Sequence, residues 1–175
     1  MKKIYRVFMI IIPILILFML IDSFFLSPST AEAEPEFDHK NMVMSEVTDE
    51  QIIGVSSTYS AFMTSTHQSG KNNNIRGKYS EFNVDLYEFS AKKVSGIMTL
   101  SATHVKDSDL TLNIDSDLNE GEMKIVVIRD NEILEYVSVG ESVQLQYDVS
   151  GEHTYYVKMI AKDANMSVSV SRTVS

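Results

Sequence analysis

The chain contains no cysteine. That excludes disulfides, a thiol nucleophile and a lipid carried on an N-terminal cysteine. An exported form of this chain therefore depends on an ordinary hydrophobic core. Basic residues are scarce as well: 15 Lys and Arg stand against 24 Asp and Glu, for a formal net charge of −9. Nucleic acid and anionic lipid need clustered Lys and Arg, so the overall balance argues against both. There is no internal repeat of fixed length, and no serine sits in a Gly-x-Ser-x-Gly elbow.

What is present begins with a charged start, a greasy middle and a small-residue ending. Lys2, Lys3 and Arg6 precede a run from Val7 to Ile21 that is apolar apart from Pro13, and Ala31-Glu32-Ala33 follows a polar stretch. This is the layout of an export signal, with a cut expected before Glu34. As a helix the apolar run is roughly 22 Å long, short of a hydrocarbon core of roughly 30 Å. Cleavage is therefore read ahead of an uncleaved membrane anchor over residues 7–26, to which Phe24, Phe25 and Leu26 would add length. Either way the positive charges before the run direct the rest of the chain outside. The expected location is secreted or extracytoplasmic, in the cell envelope. The long signal and the missing cysteine together point to a Gram-positive bacterium.

Three segments follow: residues 1–33 as signal peptide or anchor, 34–51 as an acidic flexible tether, and 52–175 as one folded domain. Removing the signal's net charge of +1 (Lys2, Lys3 and Arg6 against Asp22 and Glu32) leaves the mature chain at −10. The tether is polar and lacks sustained periodicity, with a modest helix expected near Ser45–Ile53. Beyond it the pattern turns to period two. Residues 54–66 and 94–105 suit strands, residues 67–77 a loop, and Gly96 a bulge. Leu110, Leu112 and Ile114 alternate with polar residues, and Met123 to Ile128 is continuously apolar, as in a central strand. Asp130-Asn131 suits a tight hairpin, and Ser150-Gly151 and Asp163-Ala164-Asn165 read as turns. The Ser/Val strand at the C-terminus is expected to pair with its predecessor. Short strands spaced by turns predict an all-β fold, an antiparallel β-sandwich of roughly seven to nine strands behind an N-terminal hydrophobic export helix.

Gly151, Tyr155 and Val157 in GEHTYYVKM, then Met166-Ser-Val-Ser-Val, follow the hairpin MKIVVIRDNEILEYV. Over these last eighty or so residues the chain resembles small exported bacterial β-sandwich domains of the pre-peptidase C-terminal-like kind. The resemblance implies that architecture, an extracellular location and an accessory or binding role. No functional residue carries over from it.

The acidic stretch from Asp107 to Glu122 is the principal candidate site. Asp115, Asp117 and Asn119 alternate ahead of Gly121, and hard oxygens on a turning loop suit Ca²⁺. The spacing departs from an EF-hand, whose sixth and twelfth positions fall here on Glu120 and Val126. A solvated loop between two strands explains the same residues. His39, Met42 and Met44 offer a soft ligand set for Cu(I), against the alternative that both methionines are packing residues. Lys71, Arg76 and Lys78 form a modest basic cluster, and His67, His104 and His153 are scattered. Tyrosines on alternating strands are first of all packing residues. No nucleophile or metal motif supports an enzyme, and no cofactor is implied beyond Ca²⁺. The expected function is non-catalytic binding of an envelope protein or cell-wall polymer at the outer face of the membrane, with membrane contact through the N-terminal segment only. The alternative is a Ca-dependent module or hydrolase using the acidic loop 107–122.

Overall fold

The computed structural model describes residues 37–69 and 85–175. The export segment, the expected cleavage position and the Lys71, Arg76 and Lys78 cluster lie outside the described residues.

Helix α1 (Asp49–Gly54) precedes five strands: β1 (Ser57–Ser60), β2 (Met63–Ser69), β3 (Leu86–Arg129), β4 (Glu132–Val137) and β5 (Ser142–Val174). The structure is mostly strand and the pairing is antiparallel throughout, as the period-two alternation requires. Among the described residues no helix is long and apolar enough to cross a membrane. Helix α1 starts where a capping box allows it. The Thr48 hydroxyl accepts from the Gln51 amide at 3.3 Å, and the Gln51 side chain accepts from the Thr48 amide at 3.0 Å.

The strands are longer than the turn signals suggest: β3 runs for 44 residues and β5 for 33. Lys93, Asp107, Gly121, Gly151 and Asp163 take positive φ inside them. Glycine and aspartate accept that conformation at low cost, so the chain turns a corner without ending its ladder. Asp130-Asn131, by contrast, reverses the chain and sets Arg129 opposite Glu132. The bends at Lys93, Gly121 and Asp163 lie together at one end of the sheet, since Val94 faces Ala164 and Glu122 faces Lys162. Those at Asp107 and Gly151 lie at the other end, where the Gly151 amide donates to the Asp107 carboxylate at 2.8 Å.

Two expectations are corrected by this register. The C-terminal Ser/Val segment does not pair with its predecessor: Met166 faces Ala91 on one side and Leu118 on the other. One positive-φ residue bends a strand, whereas reversing it takes a hairpin turn. The acidic stretch 107–122 is not a loop but the middle of β3. Leu110, Leu112 and Ile114 are fully buried there, with Asp115 exposed between neighbours on both edges.

One core gathers Phe89, Leu100, Leu112, Ile125, Met159 and Val168 with their neighbours. A second lies on the opposite side of β3 and β5, where Ile97, Val126, Ile128 and Ile160 meet Met42, Met44, Ile52 and Val55. The flexible tether expected over residues 34–51 is corrected accordingly: from residue 37 onward it is packed chain, with Met42 and Met44 buried. The physical reason is the continuous apolar run Ile125 to Ile128, whose outward side chains need a cover.

Candidate functional site

Alternation dictates the outer face of the sheet formed by β2, β3 and β5. Phe89 and Val168 point into the core, so Glu88, Ser90, Ser167 and Ser169 point away from it. Register then aligns them across strands. His67 sits opposite Glu88, Glu88 opposite Ser169, Ser169 opposite Asp115, and Asp115 opposite Ser142. A second row runs Ser65, Ser90, Ser167 and Asp117. With strands about 4.8 Å apart, the first row crosses about 19 Å of sheet.

These two rows line an open groove of about 580 Å³, closed on one side by Gly140 and Glu141. The Gly140 amide donates to the Ser116 hydroxyl at 3.1 Å, which fixes that wall to β3. The groove therefore presents hydroxyls and carboxylates to solvent, with Glu88, Asp115, Asp117 and Glu141 all exposed. Such a surface can hydrogen-bond a polyhydroxylated chain and attract amines.

Of the three residues expected to hold Ca²⁺, Asp115 and Asp117 line this groove. Asn119 lines a smaller neighbouring depression with Met63, Lys92 and Asn165, and its amide donates to Asp117 at 3.4 Å. Spaced along a strand, the three reach over about 13 Å, whereas ligands to one Ca²⁺ stand at about 2.3–2.6 Å from it. Among the described residues no group of three His, Asp or Glu side chains converges to hold a metal ion. The thioethers of Met42 and Met44 are spent on packing. The scattered histidines take separate partners: His104 lies 3.3 Å from Glu152, His153 lies 2.7 Å from Asp130, and His67 faces the groove. The tyrosines pack as expected, Tyr147 against Tyr155 at 5.2 Å and Tyr59 edge-on to Phe89 at 5.9 Å.

Sequence reading did not bring Ser65, Glu88 and Ser90 to this face. The available signal was the serine at alternate positions 167, 169 and 171, which marks a polar sheet face but not its neighbours. Compared with known proteins, the chain matches no family model, and no curated protein or solved structure is similar to it.

Proposed function

We propose that this chain is an exported, non-catalytic β-sandwich protein that binds a cell-wall polymer or envelope protein at the outer face of the membrane. The bends support the two-layer reading. Runs 63–69, 86–92, 108–118, 142–149 and 165–174 pair among themselves, and so do 57–60, 94–106, 122–129, 132–137 and 152–164. The larger core draws on both groups, as the interior of a sandwich does. The export layout of the N-terminus supports the location, and the resemblance to exported bacterial modules supports an accessory role.

The observation that carries the binding reading is the pair of hydroxyl and carboxylate rows on one sheet face. An open groove of exposed side chains suits a long ligand held by many weak contacts. It does not enclose a reacting centre away from water, as catalysis generally requires. The ligand favoured is a polymer or protein surface bearing hydroxyl and amino groups.

Co-sedimentation of the full chain with purified insoluble wall polymer tests this. Binding should weaken with added salt and fall roughly tenfold in the double variant Asp115→Asn, Asp117→Asn. Sedimentation equal for variant and native chain would overturn the groove as the contact surface. A melting temperature raised by Ca²⁺ in the native chain alone would transfer those carboxylates to a Ca-dependent role.

A further inference from the structure

We infer that the end of the domain bent at Lys93, Gly121 and Asp163 is a second membrane contact, with Phe62 and Met63 entering the lipid surface beside Lys92 and Lys93. Six large apolar side chains stand exposed among the described residues: Val43, Tyr59, Phe62, Met63, Tyr136 and Val174. The first four gather at this end. Tyr59 faces Gly96 and Met63 faces Lys92, while the Met44 carbonyl beside Val43 accepts from Lys124, three residues past the bend at Gly121. Phe62, on the turn between β1 and β2, is 76% exposed, and Met63, the first residue of β2, is 56% exposed. A backbone bond of 2.8 Å from the Phe62 amide to the Lys92 carbonyl fixes this tip against the sheet. A rigid apolar tip loses little conformational freedom on insertion.

Charge at this end departs from the rest of the chain: Lys40, Lys92, Lys93, Lys124 and Lys162 balance Asp38, Glu46, Glu120, Glu122 and Asp163, although the whole chain carries −9. Aromatic and thioether groups flanked by lysines suit the boundary between headgroups and acyl chains. The described chain also enters at this end, because the Lys162 ammonium donates to the Lys40 carbonyl at 3.0 Å. The sequence from Ile21 to Phe37 spans at most about 55 Å when extended. An apolar run retained in the membrane would thus keep this end within reach of the bilayer. The inference rests on that membrane-retained reading, and the experiment separates the two.

The absence of native cysteine makes a single-site probe specific. The full chain with Met63→Cys, labelled with an environment-sensitive fluorophore, is reconstituted with vesicles of equal parts phosphatidylglycerol and phosphatidylethanolamine. Glu152→Cys, at the opposite end, serves as the comparison. Flotation with the vesicles, a blue-shifted Met63-site probe quenched by doxyl-labelled lipid, and an unshifted probe at the Glu152 site are expected. Adding Phe62→Ser should reduce the quenching. Flotation with both probes in water would overturn the contact and leave membrane retention standing. A chain that does not float would overturn both. A blue shift without lipid quenching would assign the tip to a second copy of the chain and overturn the inference equally.

Discussion

The Lys158 ammonium donates to the Ile52 carbonyl at 2.7 Å, from the middle of β5 to the last turn of α1. It also donates to the Ile53 and Val55 carbonyls, each at 2.8 Å. Lys158 is 2% exposed. A helix ends with carbonyls that lack intrahelical partners and with the negative end of its dipole, and a buried ammonium answers both. This contact fastens residues 37–55 to the sheet in addition to the packing of their apolar side chains.

Lys158→Met keeps the length of the side chain and removes the donor. Three carbonyls lose a charged partner, so a loss of about 3 kcal/mol is expected in urea unfolding. Hydrogen exchange should rise over residues 49–55 before the rest of the domain. A variant within about 0.5 kcal/mol of the native chain would show that the carbonyls find water instead.

The other buried cation is expected to behave in the opposite way. Arg172 has a side chain only 4% exposed, its Nη2 lies 3.7 Å from Asp85, and among the described residues that nitrogen makes no hydrogen bond. Burial lowers the affinity of its guanidinium for a proton, and Asp85 only partly offsets this. Arg172→Met should leave stability within about 1 kcal/mol or raise it. A loss of about 3 kcal/mol would show that the ion pair outweighs its desolvation.

Glycine is required at Gly96 for two reasons, a positive φ and a close approach of β1, and only the first holds at Gly151. At Gly96, φ is +132° and an added Cβ would lie 2.1 Å from the Thr58 carbonyl oxygen, so alanine there displaces β1. At Gly151, φ is +88° and the nearest contact would be the His153 ring at 3.8 Å. Gly151→Ala should cost about 1 kcal/mol, the conformational term alone, and Gly96→Ala about 3 kcal/mol or more. Melting temperatures of the two variants measure the difference, and equal shifts would contradict it.

Tyr136 supplies an alkaline signature. Its hydroxyl donates to the Asp49 carboxylate at 2.6 Å, joining β4 to the first turn of α1. That bond, partial burial and the charge of Asp49 raise its pKa to about 12. A raised folded-state value favours the neutral phenol. The stability it brings is therefore complete below about pH 10 and is lost as pH climbs through about 12. Because the ring is half-exposed, the contribution is under about 1 kcal/mol. Tyr136→Phe should be slightly less stable at pH 8 and converge with the native chain as pH approaches 12. A gap unchanged between those limits would contradict the assignment.

Much of the groove's chemistry was legible without its geometry. The alternation Met166-Ser-Val-Ser-Val assigns serines to one face and valines to the other, and Asp115 and Asp117 declare an acidic strip. Their meeting was not legible, because Ser169 lies opposite Asp115 and Glu88 across long-range pairings. Turn-prone residues misled in the same way: Asp107, Gly121, Gly151 and Asp163 permit positive φ, but composition does not distinguish a corner from a reversal. Residues 37–55 lacked a sustained period because they cover a sheet face as an irregular strap, with buried Met42, Met44, Ile52 and Val55.

The sequence by itself determined the strand-forming character of the domain, the side of each strand that is apolar and the exclusion of disulfides and thiol chemistry. These depend on residue type and on a local period of two. Tertiary structure alone decided that the acidic stretch is a central strand, that the supposed tether is part of the core, and that two serine and carboxylate rows share one groove. Those outcomes depend on register between residues far apart in the chain, which the period of each strand leaves free.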